Sequence, residues 1–594
     1  MKRILYLLLF AQISLSTLAQ KPYYVGEYQS PSNPFYWKNK IPFIGYWQQD
    51  VDYKIKASLD DSLDMIDAEL TLVYYNNSPD VLHEVYFHLY QNAFQPGSYY
   101  DDLQKNNHLK TIYGKNEKDN KGEVIEMVTI NGTQVKPTFD NTIMKLILPQ
   151  PLQPNGLVEF KIKFKSYFGD EGNVRRRMKM FKDAWGNKQY DGVHWYPRIC
   201  VYDRKFGWET DQHLGREFYG DFGSYEAELT LPSNYINEAT GELLNENEML
   251  PELLRKKLDV KNFANKPLES KPSLVLERNG TKTWKYKAVN VHDFAFTCDP
   301  TYRLSESSWN GIRCIGIVQE PHAAGWQNTG AEVADIVKTF STTFGMYAYP
   351  KMVAADARDG MEYPMLTLDG GVSPGYMKTV SHEVGHNWFF GIIGNNETYR
   401  ACLDEGFTQF INSWYMEIYN ERKGVPHYRN KYLEKYVTHL TVREEVAYSG
   451  YILDAINDND ETLNQHSDGF NGAVNHGGGY RHVYYKTATM LWNLQYVLGD
   501  ELFLKAMQNY FNEFKICHPY IEDFRNSIIH YTHADLNWFF DQWFETNKHI
   551  DYEVENVQHL EGDQYEITLE RLGRMQMPID FTVTAKDGFA AAHL

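Results

Sequence analysis

The stretch SHEVGHNWFFGIIGNNETYRACLDEGF runs from Ser381 to Phe407. Its histidines, His382 and His386, stand four residues apart, Glu383 follows the first directly, and Glu405 follows the second after eighteen intervening residues. On a helix, residues four apart share one face, so both imidazoles can bind one ion at about 2.0–2.1 Å. Glu383 is turned about 100° off that face. It therefore stands beside the ion, where a general base for a metal-activated water belongs. A catalytic zinc takes three protein ligands and keeps a fourth position open. Glu405, in the first turn of a following helix, supplies the third. The reading is one Zn2+ per chain on His382, His386 and Glu405, with Glu383 catalytic. Gly394-Asn395 predicts the end of the first helix, and the second is expected to begin near Leu403.

The elements around this centre follow from periodicity. From about Asp50 to Asp299 the apolar positions alternate, as in DVDYKIKASLD and DAELTLVYYNN, with turn signals at Asn76-Asn77-Ser78-Pro79 and Asn279-Gly280. That is the pattern of a large antiparallel β domain. Its polar segment 234–279 reads as a surface excursion. After about Ser305 the spacing becomes helical, in AEVADIVKTFSTTFGMY, YKTATMLWNLQYVLG and ELFLKAMQNYFNEF among others. The acidic, Gly-rich segment 457–480 reads as a long functional loop. Strand patterns return at QYEITLERLG and MPIDFTVTAKDG. The expected fold class is multidomain α+β: a β domain over 20–305, a mostly helical catalytic domain over 306–550, and the start of a C-terminal β domain, cut short, over 551–594.

Residues 1–19 have a basic start, a short apolar run and small residues at Thr17-Leu18-Ala19, the composition of a secretory signal peptide. The chain is therefore expected to be exported, to the periplasm or the medium, without a transmembrane segment. A net charge of −19 argues against nucleic acid as a partner. The one basic cluster, Arg175-Arg176-Arg177-Met178-Lys179, reads as a solvated loop. Five cysteines, widely spaced and odd in number, argue against a disulfide framework. Cys402 reads as a buried thiol under a helix start.

These motifs carry a resemblance. H-E-x-x-H, eighteen residues, then Glu resembles the gluzincin family of aminopeptidase N and leukotriene hydrolase. His386-Asn387-Trp388-Phe389 is similar to the family's H-x-W-F, and Leu403-Asp404-Glu405-Gly406-Phe407 to its L-N-E-G-F. Gly360-Met361-Glu362-Tyr363-Pro364 resembles the exopeptidase motif G-x-M-E-N, with Tyr363 in place of asparagine. The resemblance implies that Gly360, Met361 and Glu362 bind substrate, the glutamate taking the free α-amine. Tyr484-Tyr485-Lys486-Thr487 resembles Y-E-K-G, which implies that Tyr484 stabilises the oxyanion. It also implies that Gln189 touches the amine, and an order of β saddle, thermolysin-like catalytic domain and small β-sandwich. The function so implied is a zinc aminopeptidase acting on peptides. A zinc endopeptidase, an epoxide-hydrolase-like enzyme and a dead peptide-binding protein are the alternatives. First-residue preference and oligomeric state are not legible.

Overall fold

The computed structural model describes residues 21–170, 172, 174, 176–215, 217–358, 360–373, 375–423, 435, 440–469 and 481–584, with the backbone of 590–593. The signal-peptide stretch and the glycines at 477–479 lie outside the described residues. The fold is multidomain and mixes helices with sheets. Its N-terminal half holds an eight-stranded sheet. β1 (Asp50–Asp60) and β2 (Met65–Tyr75) alternate buried and exposed positions as the sequence demands, and pair antiparallel along their whole length. One pairing departs from the antiparallel expectation. β1 also pairs in parallel with β3 (Gly223–Pro232). The long excursion between them lets the chain return in the same direction.

The basic cluster is not a solvated loop. Arg176 and Arg177 are buried. Arg176 pairs with Glu117 at 2.6 Å, and Arg177 reaches Glu217 at 3.3 Å. The acids that hold them lie tens of residues away in sequence, beyond any local charge pattern. Segment 234–279 is also more than a surface excursion, since its strand Ile236–Ala239 is wholly buried.

Past Ser305 the helical reading misses a five-stranded sheet. Its strands are β4 (Tyr302–Trp309), β5 (Ile312–Gln319), β6 (Lys351–Asp356), β7 (Met361–Tyr363) and β8 (Leu366–Asp369), in the order β4-β5-β6-β8-β7. β5, β6 and β8 run parallel, and β7 pairs antiparallel at the edge. Every residue of β6, β7 and β8 is buried. Strands covered on both faces show no alternation, which is why periodicity passes over them. β4 runs across the expected boundary at 305/306.

Helix α1 (Thr329–Thr343) packs on β4 and β5. α2 (Met377–His386) lies against β8 and against α3 (Glu405–Lys423). α2 ends eight residues before the Gly394-Asn395 stop signal. Beyond it the backbone turns, the ring of Phe389 packs on Phe407, and Gly394 N–H donates to Cys517 O at 3.0 Å. Tertiary packing here overrides local helix signals. All five cysteines are buried and free. Among the described residues no helix is long and apolar enough to cross a membrane.

α4 (Arg481–Leu498) is anchored by Lys486, which is fully buried. Its ammonium donates to Asp460 Oδ2 at 2.8 Å, Glu461 O at 2.7 Å and Thr546 O at 2.9 Å. Removing one partner of a buried ion pair strands the other charge. Lys486→Ala should therefore lower the unfolding free energy of this region by about 3–5 kcal/mol, read from the urea midpoint. An unchanged midpoint would show that the pair does not hold the helix.

Candidate metal centre and its surroundings

The last two turns of α2 carry the histidines and the first residue of α3 carries Glu405. His382 Nε2 lies 3.1 Å from His386 Nε2 and 3.2 Å from Glu405 Oε2, and His386 Nε2 lies 3.3 Å from the same oxygen. Three donor atoms thus form a nearly equilateral triangle. Ligands bound tetrahedrally at about 2.0–2.1 Å stand roughly 3.3 Å apart, so this donor set fits a zinc ion. Asp404 fixes one imidazole: His386 Nδ1 donates to Asp404 Oδ1 at 2.5 Å, leaving Nε2 with its lone pair toward the triangle. The sequence reading quoted Asp404 but gave it no task.

The other expected residues gather around this triangle. Glu383 is buried, and burial raises its pKa well above the ordinary carboxylate value while His386 opposes the shift. Tyr484, on α4, donates its hydroxyl to Glu405 Oε1, and its ring lies nearly parallel to that of His382 at 6.0 Å. Gly406 permits this approach. A Cβ there would sit 2.2 Å from Thr487 Cβ, so α3 and α4 close only over a glycine.

Gly360 has a related duty. A Cβ on it would lie 2.4 Å from Glu383 Oε1, so its backbone is pressed against the carboxylate of the general-base candidate. Arg177 holds that backbone from the N-terminal half, donating to Gly360 O at 2.6 Å. Met361 and Glu362 follow on the edge strand β7, both buried. Glu362 places a carboxylate oxygen within 4.8 Å of ligand atoms of His386 and Asp404. Tyr363, where the motif has asparagine, is buried and stacks on Phe218 with ring centroids 5.3 Å apart.

Two residues that sequence reasoning missed join Glu362. Glu217 and Glu397 bring carboxylate oxygens within 4.8 Å of it and of each other. Burial, then Glu217, raises the Glu362 pKa well above its ordinary value; burial, then Asp404, Glu362 and Glu217, does the same for Glu397. Isolated glutamates have no spacing signature, and only the fold brings these together. Gln189 has its side chain engaged within the fold. Its amide donates to Tyr302 Oη at 2.9 Å and to Asp356 O at 3.1 Å, its oxygen accepts from Gln319 at 2.6 Å, and no hydrogen bond joins it to Glu362.

Residues 373–543 match the model of the peptidase family M1 domain. The chain carries a peptidase M1 domain. No curated protein matches the sequence. Among solved structures, the chain is similar to an M1 zinc metallopeptidase from Deinococcus radiodurans, at 13% identity and a TM-score of 0.54, over 86% of this chain and 96% of that one. A mutant of the Deinococcus enzyme bound to a Tyr-Ser-Ala substrate gives 13% identity and 0.53, over 89% and 97%. A two-domain M1 zinc metallopeptidase mutant bound to L-arginine gives 14% and 0.54, over 84% and 94%. At these identities the likeness is one of fold. The M1 domain and the donor triangle that lies within it together support a zinc metallopeptidase.

A methyl group on Gly360 has one place to go, into the Glu383 carboxylate. Gly360→Ala should keep its metal and its thermal midpoint while losing about 10²-fold in kcat, the scale of a catalytic group displaced by about 1 Å. Full turnover by this variant would show that Gly360 does not border the base.

Proposed function

We propose that the protein is a zinc aminopeptidase that removes first residues from peptides. One observation carries this reading: the Glu362 carboxylate stands beside His386 at the donor triangle. A carboxylate so near the reacting centre leaves room for a single residue between the captured amine and the scissile carbonyl. Related folds bound to amino acids and to a tripeptide substrate support the same reading.

Held by His382, His386 and Glu405, zinc supplies a Lewis acid that brings a water's pKa near neutrality. Glu383 accepts the proton from the attacking water and returns it to the leaving amine. Its raised pKa suits both halves of that task. The Tyr484 hydroxyl, already beside Glu405, donates to the oxyanion as it forms. Glu362 holds the positive α-amine and so sets the register of cleavage. The leader-like composition of residues 1–19 supports export of the enzyme.

Two substitutions separate these roles. Glu362→Ala should depress cleavage of free-amine peptides by orders of magnitude, and the parent should leave acetylated peptides nearly uncut. Equal cleavage of acetylated and free peptides by the parent would overturn amine capture and favour an endopeptidase. Tyr484→Phe should lose about 10²–10³ in kcat with KM nearly unchanged, because its bond is made in the transition state. Tyr485→Phe is the control, its ring being packed against Gly450. If Tyr485→Phe is the dead variant, the oxyanion role passes to it.

A further inference from the structure

Glu362 and the donor triangle stand on different elements, so their separation depends on what joins β7 to α2. β7 runs into β8 through the two residues Pro364-Met365, with Tyr363 paired to Leu366 on either side. Met365 has φ +65°, in the left-handed region that residues with a side chain keep only when their surroundings hold them there. Two-residue hairpin turns favour glycine or asparagine where φ is positive. Here neither is present. The turn is also buried throughout, from Tyr363 to Leu366, so its polar backbone groups need partners within the protein.

α2 supplies such a partner. Asn387 follows His386 directly and is fully buried. Its Oδ1 accepts from Met365 N–H at 2.9 Å, and its Nδ2 donates to Tyr363 O at 3.5 Å. One amide thus engages the backbone on both sides of Pro364. The amide is itself braced: Tyr347 Oη stands 3.2 Å from the same Oδ1, and the Tyr347 ring packs on Trp388 with centroids 5.0 Å apart. On its other side the turn is tied to β6, where Val353 N–H donates to Met365 O at 3.0 Å. The path from carboxylate to metal donor is therefore short. Glu362 is bonded to Tyr363, Tyr363 meets the Asn387 amide, and Asn387 is bonded to His386. Where Tyr363 replaces the asparagine of the motif, an asparagine reaches the same turn from the neighbouring helix.

We propose that Asn387 is a positioning residue that sets the separation between the Glu362 carboxylate and the metal donors, and with it the length of first residue that fits between them. The inference rests on the aminopeptidase reading and adds to it the residue that gauges the substrate. α-Amino first residues are accepted. β-Amino ones, whose amine lies one methylene further from the scissile carbonyl, are refused as long as the amide holds the turn.

The test compares alanyl, β-alanyl and N-acetylalanyl substrates with the same leaving group, on the zinc-loaded full chain. The parent should cleave the alanyl substrate about 10²-fold more efficiently than the β-alanyl one, the scale of a displacement of about 1 Å. Asn387→Leu keeps much of the volume and removes both bonds. It should lose about tenfold on the alanyl substrate and less on the β-alanyl one, because a released turn lets Glu362 shift, so the ratio between them narrows. A variant slower on both substrates in equal measure, or one that has merely lost its zinc, would overturn the inference and leave the amide a structural support of α2. Should Asn387→Leu not fold, Asn387→Gln decides, since its amide stands one methylene further out: a ratio equal to the parent's overturns the gauge. A parent that prefers free to acetylated amines yet cleaves alanyl and β-alanyl substrates alike also overturns it. If the parent cleaves N-acetylalanyl and alanyl substrates alike, the aminopeptidase reading itself falls.

Discussion

Three lone pairs directed at one point govern the architecture around this site. Two imidazole nitrogens and a carboxylate oxygen, mutually 3.1–3.3 Å apart, are a poor arrangement for a protein by itself and a good one for a dication. The requirement reaches outward. α2 must present His382 and His386 on one face, Asp404 must fix the His386 tautomer, and α3 must begin at Glu405. α4 must then come close enough for Tyr484 to meet the same glutamate, which Gly406 permits. Lys486 ties α4 in place through a buried ion pair. Few of these contacts are strong singly. Together they leave the donor atoms little freedom before an ion arrives.

Electrostatics divides the surroundings into two regions. At the triangle, a bound metal would supply positive charge, answered by Glu405. Beside it, the carboxyl groups of Glu217, Glu362, Glu397 and Asp404 gather inside the protein, with Arg177 paired to Glu217. Burial raises the Glu362 and Glu397 pKa values well above the ordinary carboxylate range. Glu383 lies between the regions, its carboxylate against the Gly360 backbone that Arg177 holds.

Legibility followed the range of the signal. The four-residue spacing of His382 and His386 is a local property of a helix, so the triad could be read from sequence, and Glu383 with it. The alternating strands of the N-terminal sheet were legible for the same reason. β6, β7 and β8 were not, because strands buried on both faces lose alternation. The end of α2 was misplaced because packing of Phe389 and the Gly394–Cys517 contact outweigh a local stop signal. Arg177, read as a solvated charge, is buried against partners its neighbours do not announce. Glu217 and Glu397 have no signature at all; their meaning arises when the chain brings them beside Glu362.

The segment that matches the M1 domain begins at residue 373. It contains the metal donors, Glu383, Glu397 and Tyr484, whereas Gly360, Glu362, Glu217 and Arg177 all precede it. Under the proposed function, the metal donors and the amine-binding carboxylate of Glu362 thus lie in different stretches of the chain. On that reading, a change at Glu362 would alter which termini are accepted while the metal donors stay in place, whereas a change at Gly360 would reach Glu383 as well.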